Sequence, residues 1–387
     1  MKMLTRSRIT VIIKTTWACN MRCIYCYEQS NGYDNNKIRV STVYNLLSKI
    51  EEYFGEGAQV KFIWHGGEPL LLGRDFYQQV VSMLGDFPGL QAQNTLQTNG
   101  TLLDEEWMEF FKRNDFRIGV SLDGPEVLHD KQRIFVNGRG SFQEVWQNYQ
   151  RLREYQPNAG VVAVVTSRTL ELADEFYEFF KRNRIPVKLS PLVPPKGGHV
   201  LEKFGGISPK EYGDFLMYIF HKWVSEPEFL FSIDPLFGVV RSFITGKPQS
   251  CVFSGECEHF LAIEPNGAVT ICGRWSASEM YLGNINHDSL HEIYQAMADH
   301  FTKHRSLVGR KCIDCKYFPI CHGGCSYLSF SKRGRLDDKD FYCEAYQALF
   351  KEVERFLERE GVPTIFRGPN ILKSRGSVYG NPNQPYN

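Results

Sequence analysis

The chain has 387 residues, 42% of them hydrophobic, with 45 Lys and Arg against 44 Asp and Glu, enough for a sizeable core in one large or two smaller domains. Its net charge of +1 supplies no general field for nucleic acid or an anionic membrane. No apolar run nears the roughly 18 residues of a spanning helix, and the run 11–13 near the start is cut by Lys14, too short for a signal-peptide core, which excludes a membrane protein and points to the cytoplasm.

Up to about residue 235, short β-branched runs alternate with helical periodicity, the pattern of a parallel α/β fold. The first run, 9–14, leads through a cysteine-bearing loop to a helix at 41–54. Runs at 60–64, 94–97, 117–121, 160–165 and 187–190 follow, and helices are expected at 74–84, 104–113, 141–155, 170–182 and 209–223. Six β-α units are too few for a closed eight-fold barrel, so a partial (β/α)6 barrel is expected over residues 1–235. Beyond 230 the composition turns to Cys, Gly and Tyr with short elements, which marks a second domain at 236–361. It holds a hairpin at 260–272 around Glu264-Pro265-Asn266-Gly267 and a closing helix at 343–361. The stretch 362–387, rich in Pro, Gly and Asn, is expected to be a mobile tail.

Eleven cysteines set the chain apart. An odd number without a secretory signal argues for metal binding rather than a disulfide framework. Cys19, Cys23 and Cys26 stand together in a loop after the first strand, and the other eight lie between Cys251 and Cys343. Three plus eight divides into one three-ligand and two four-ligand sites. Structural zinc wants four ligands, whereas three thiolates suit a 4Fe-4S cube with one iron left open. The bland alternative for the first three is a set of buried structural cysteines.

Cys19-x3-Cys23-x2-Cys26, with the aromatic Tyr25 before the last cysteine, resembles the radical S-adenosylmethionine (SAM) superfamily. The resemblance implies that these three cysteines hold a SAM-binding 4Fe-4S cluster and that Gly66-Gly67-Glu68-Pro69 holds the SAM amino group. Three further strand ends carry Asn99, Ser121 and Val165. The same resemblance puts Ser121 and Arg133 on the SAM carboxylate and the Val165 region on adenine. Arg133 could instead be a surface cation, and two glycines in a loop can simply make a turn.

From Cys257 onward the pattern of Cys272, Cys312, Cys315, Cys321, Cys325 and Cys343 resembles the SPASM domain of peptide-modifying radical SAM enzymes. Likeness to sulfatase-maturating members implies an interleaved assignment. Cys251, Cys257, Cys272 and Cys325 would hold one auxiliary 4Fe-4S cluster; Cys312, Cys315, Cys321 and Cys343 would hold the second. Spacing alone equally allows a pair of zinc ribbons.

The resemblance implies a cytoplasmic enzyme that uses SAM and three clusters, takes a precursor peptide, and draws electrons from a flavodoxin- or ferredoxin-type reductant. No leader-recognition module precedes Cys19, so a leader is expected to bind the barrel face, the second domain or a separate protein. Two residues depart from the sulfatase-maturating pattern: Gly273 stands where those enzymes carry an Asp base, and His65 where they carry Gln. With Cys251 completing the first auxiliary site, these departures lead to the expectation of a maturase that forms a carbon–carbon side-chain cross-link. The alternatives are oxidation of a single side chain to formylglycine and, in another class, an electron-transfer or scaffold protein.

Overall fold

The computed structural model describes residues 8–28, 35–192, 205–228 and 230–366. Seven parallel strands follow one another in sequence order: β1 (Arg8–Lys14), β2 (Gln59–His65), β3 (Gln91–Thr98), β4 (Phe116–Ser121), β5 (Val161–Val165), β6 (Val187–Pro191) and β7 (Ile233–Asp234). Helices α1 (Val40–Phe54), α2 (Arg74–Leu84), α3 (Glu105–Arg113), α4 (Phe142–Tyr155), α5 (Ala173–Asn183) and α6 (Pro209–Val224) connect them, and α7 (Leu236–Thr245) follows β7. The arrangement is the expected partial barrel, extended by a two-residue seventh strand too short to leave a periodic signal.

Alternation along each strand explains the layering. In β1, Ile9, Val11 and Ile13 are buried against the helices, while Arg8, Thr10 and Ile12 face the barrel lumen. In β2, Val60, Phe62 and Trp64 pack outward and Lys61, Ile63 and His65 inward. The expected helix at 170–182 breaks at Leu172 into Ser167–Glu171 and α5, because a capping box at Thr166 starts a separate short turn.

The C-terminal part continues the same sheet. β8 (Phe260–Ile263) runs parallel to β1, pairing Thr10 with Phe260 and Ile13 with Ile263. β9 (Ala268–Thr270) turns back antiparallel on β8, and β10 (Gly283–Asn284) pairs with β9, giving ten strands. After α8 (Leu290–Met297), the chain closes with α9 (Cys343–Arg359), which packs along α6. A Cβ on Gly213 of α6 would lie 3.0 Å from the Ala345 Cα of α9, so the two backbones approach where neither side chain stands between them. The expected tail lies outside the described residues from 367 onward. Before it, Ile365 N–H donates to the Phe243 carbonyl and the Phe366 ring packs edge-on against that of Phe243. No described helix is long and apolar enough to cross a membrane.

Candidate active site

The loop bearing Cys19, Cys23 and Cys26 leaves the C-terminal end of β1 and is fastened on two sides. On one side the Gly66-Gly67 turn, leaving β2, reaches it through backbone bonds from Gly67 N to Thr16 O (2.7 Å) and Glu68 N to Ala18 O (2.9 Å). On the other, Arg22 N donates to Ile134 O (2.7 Å) and Ile24 N to Gln132 O (2.9 Å). The glycines are needed for the first contact: a Cβ on Gly67 would meet the Ala18 carbonyl oxygen at 2.1 Å, and Gly66 adopts φ 118°.

Glu68 is fully buried and anchors the turn to β3. Its Oε1 accepts from Leu70 N (3.0 Å) and Thr98 Oγ1 (2.8 Å), and its Oε2 from Asn99 N (2.8 Å). Burial pushes its pKa up, against the pull of those donors. Pro69 opens the short turn that follows. Asn99 in turn sends its side-chain N–H groups to Asn20 Oδ1 (2.8 Å) and Cys19 Sγ (3.9 Å). Thus the second and third strand ends act on the cysteine loop directly.

Tyr25 belongs to a second network. Arg133 Nη1 donates to its hydroxyl (2.7 Å), and that hydroxyl donates to Asp123 Oδ2 (2.5 Å). Asp123 also accepts from Val164 N (3.0 Å), tying β5 to the loop after β4. Arg133 is buried, so the surface-cation alternative does not apply to it. Its Nε has no hydrogen-bond partner. Ser121 faces the lumen and accepts from Gln97 Nε2 (3.1 Å). The Val165 side chain is fully buried toward the helices, and it is its neighbour Val164 that looks into the lumen. Asp123 was missed in the sequence because no spacing rule joins it to Tyr25, 98 positions away.

The three thiols act on one another, and burial raises Cys19 to about 12 and Cys26 to about 11. No cysteine is disulfide-bonded. Thiols held this protonated become ligands only when a metal displaces the proton. In the C-terminal part, Cys312, Cys315, Cys321 and Cys343 wall one small cavity, with Gln347 Nε2 3.8 Å from Cys315 Sγ. Cys257 and Cys272 lie within electrostatic reach of Cys325, and Cys251 of Cys257. Arg274 Nη1 stands 4.0 Å from Cys325 Sγ, and Ser326 Oγ 3.4 Å from Cys257 Sγ. The donor set is all sulfur, flanked by cationic and polar donors of the kind that tune iron–sulfur clusters, and so fits them. Asp340 braces the region by accepting from Cys325 N and Tyr342 N, both at 2.7 Å; burial lifts its pKa to about 6.

Lys14, at the lumen end of β1, joins the two halves: its ammonium donates to Trp275 O (3.1 Å) and pairs with Glu28 (3.3 Å). Gly273 faces β1, where a Cβ would lie 3.2 Å from Ile12 Cγ2. His65 ends β2 beside Lys14, and burial, aided by that ammonium, lowers its pKa to about 4, so it is neutral.

A partial barrel whose strand ends grip a three-cysteine loop, joined to a second cysteine-rich unit, defines a radical SAM enzyme with a C-terminal iron–sulfur domain. Family models agree: the radical SAM superfamily matches residues 13–180, and an iron-sulfur cluster-binding domain, SPASM, matches 251–326. A serine-type anaerobic sulfatase-maturating enzyme from Bacteroides thetaiotaomicron is 31% identical over 373 residues, covering 90% of each chain. A cysteine-type one from Clostridium perfringens is 29% identical over 360 residues, 89% of this chain and 95% of its own. The solved structure of native anSMEcpe with bound AdoMet and Cp18Cys peptide superimposes with a TM-score of 0.80 at 25% identity, over 91% of this chain and 99% of that one. The chain belongs to the family of anaerobic sulfatase-maturating enzymes, radical SAM enzymes that use SAM and 4Fe-4S clusters and act on a peptide or protein.

That membership overturns the expectation of a carbon–carbon cross-linking maturase. Streptococcus suis SuiB bound to its precursor peptide SuiA shares the fold at a TM-score of 0.61, but with 16% identity. The serine-type and cysteine-type relatives above, alike over 90% and 89% of this chain, are sulfatase-maturating. The expectation leaned on Gly273, His65 and a first auxiliary site completed by Cys251, and neither a missing proton acceptor nor a fully ligated cluster specifies which bond forms.

Proposed function

We propose that the enzyme oxidises a Cys or Ser side chain of a protein substrate to formylglycine in the cytoplasm, with a flavodoxin- or ferredoxin-type protein as reductant. The observation that supports this most is the extent of the likeness, which runs through both halves of the chain in serine-type and cysteine-type relatives alike. In this reading Cys19, Cys23 and Cys26 hold the SAM-binding cluster. Cys251, Cys257, Cys272 and Cys325 hold one auxiliary cluster, and Cys312, Cys315, Cys321 and Cys343 the other. The bound cofactors supply the radical that removes a hydrogen atom from the substrate Cβ and the acceptors for the electron left behind.

The protein's part is position and exclusion. Glu68 fixes the glycine turn so that its backbone can meet the amino group of SAM, and the buried Arg133 offers a guanidinium to a carboxylate. The lumen keeps the radical from water. Conversion of the substrate side chain to an aldehyde also releases a proton, and Gly273 has no side chain to take it. The proton must leave through another group or a water on the lumen wall.

Anaerobic incubation of the reconstituted enzyme with SAM, reductant and sulfatase-type Cys and Ser peptides tests the reading. An aldehyde product, captured by a hydrazide and located by mass, is expected; SAM cleavage with no aldehyde in either peptide sinks it. The cluster assignment is tested separately by Cys23→Ala. The native protein should carry about twelve irons and the variant about eight, with SAM cleavage abolished. Persisting 5'-deoxyadenosine formation would remove Cys23 from the site.

A further inference from the structure

Oxidation of a Ser or Cys side chain to an aldehyde sheds the hydroxyl or thiol proton, and Gly273 has nothing to take it. Among the described residues, the other acceptors around the reacting end of the lumen are committed. Glu68 accepts three hydrogen bonds, and Asp123 is bound by the Tyr25 hydroxyl and Val164 N. Glu264 Oε1 accepts from Ala277 N (3.0 Å), and Glu28 pairs with Lys14. His129 is held at both ring nitrogens, by Asp123 N (3.3 Å) and Ser141 Oγ (3.0 Å). Lys14, Arg133 and Arg274 are donors with no lone pair to offer.

His65 differs. Its ring is partly open to the lumen, yet Nδ1 is closed to solvent and has no hydrogen-bond partner. A nitrogen left in that state costs free energy until a ligand completes it. The backbone holds the residue in place: the His65 carbonyl accepts from Thr15 N (2.7 Å) and Thr15 Oγ1 (3.0 Å). In the β1–β2 register His65 lies beside Lys14, and Ile12, two positions earlier on the same face of β1, is the side chain that Gly273 faces. A single strand therefore separates the imidazole from Gly273, both on the lumen wall.

We propose that His65 is the catalytic base: its imidazole meets the Ser hydroxyl or Cys thiol of the substrate and takes the proton which that group loses. The inference rests on the oxidation reading above and deepens it. The substrate Cβ–H bond breaks homolytically, its hydrogen atom going to the SAM-derived radical. The carbon then gives one electron to an oxidised auxiliary 4Fe-4S cluster and the O–H or S–H proton to His65, as the C=O or C=S bond forms. A thioaldehyde from Cys takes up water and releases hydrogen sulfide. As the electron leaves, the hydroxyl or thiol becomes strongly acidic, so a weakly basic ring suffices. Burial and the Lys14 ammonium keep the ring neutral and ready to accept, and make its protonated form quick to pass the proton on.

Two measurements test this, with iron content and SAM affinity reporting that each variant is folded. Without turnover, fluorescein-labelled Ser and Ala versions of a sulfatase-type peptide are titrated into the reconstituted holoenzyme with SAM. The native enzyme and His65→Gln, which keeps a polar side chain, should bind the Ser peptide about fivefold more tightly than the Ala peptide, whereas His65→Leu should bind both alike. In turnover, aldehyde formed per 5'-deoxyadenosine should fall about tenfold or more in His65→Gln and in His65→Ala. Imidazole added to His65→Ala, or Gly273→Asp combined with His65→Gln, should restore it. A ratio that holds in folded His65→Gln overturns the proposal. So does a fall that neither imidazole nor Gly273→Asp repairs, which would make His65 a structural residue. Should His65→Leu not fold, the coupling ratio of the conservative His65→Gln decides the matter. No aldehyde from the native enzyme, with a Ser preference that His65→Leu abolishes, would remove the oxidation and the base role together and leave His65 as a binding residue.

Discussion

Gly67 and Gly273 are both glycines at the site, but a side chain at each meets different resistance. At Gly67 an added Cβ would press into the Ala18 carbonyl at 2.1 Å, backbone against backbone, with no rotamer to yield. Gly67→Ala should therefore push the turn off the cysteine loop, break the Glu68 N to Ala18 O bond, and weaken SAM binding by about tenfold or more. Equilibrium dialysis with labelled SAM measures it, and unchanged affinity would mean that the turn does not hold the cofactor. At Gly273 the obstacle is the Ile12 methyl at 3.2 Å, which can give by a few tenths of an ångström. Gly273→Asp should place a carboxylate at the lumen wall and raise aldehyde formed per SAM cleaved by about tenfold or more. Unchanged coupling would show that proton removal does not limit the native enzyme. At this scale sequence reading went as far as contiguous motifs: the cysteine loop and the Gly66-Gly67-Glu68-Pro69 turn could be read from adjacent residues. The Tyr25–Asp123–Arg133 chain and the Lys14–Trp275 bond could not, since only the fold brings such distant positions together.

Elements were legible wherever one face is buried. Strands β1, β2, β4 and β5 alternate cleanly, and α2 and α6 carry apolar stripes, so period alone placed them. β7 is too short for a period, and the crossing of α6 over α9 depends on Gly213 and Ala345, two small residues that no pattern marks. Around that contact Tyr212 stacks edge-on against Tyr342 (5.0 Å) and Tyr346 (6.2 Å). Gly213→Val would force its Cβ to within 3.0 Å of a backbone carbon and spread both helices. Overpacking of this kind costs about 1–3 kcal/mol, and a loss of about 2–4 °C in midpoint per kcal/mol follows for a domain of intermediate size. Thermal unfolding followed by circular dichroism should register it, whereas Gly213→Ala, with a single methyl, should cost less. Equal midpoints for Val and native protein would place the helices further apart than described.

On the scale of the whole molecule, the sequence suggests two units at a composition change near 235, whereas the sheet runs unbroken from β7 through β1 to β10. Central in that sheet, β1 is hydrogen-bonded to β2 on one side and β8 on the other. Removing everything after 235 would leave β1 with an open edge from Thr10 to Ile13, the kind of flat apolar edge that pairs with other chains. It would also strip α9 from α6, uncovering Tyr212 and Phe220, buried in the full chain where their rings pack on Tyr342, Tyr346 and Phe356. A fragment of residues 1–235 should accordingly partition into the insoluble fraction or elute as an aggregate on size exclusion, despite holding all three cysteines of the SAM-side loop. The full chain, sharing one sheet and one set of packed helices, should unfold with the two halves coupled, so that Gly213→Val lowers by the same amount the temperatures at which SAM-side and auxiliary cluster absorbance are lost. A soluble, monomeric 1–235 fragment that takes up about four irons and cleaves SAM would show that the β1–β8 seam joins two independently stable units.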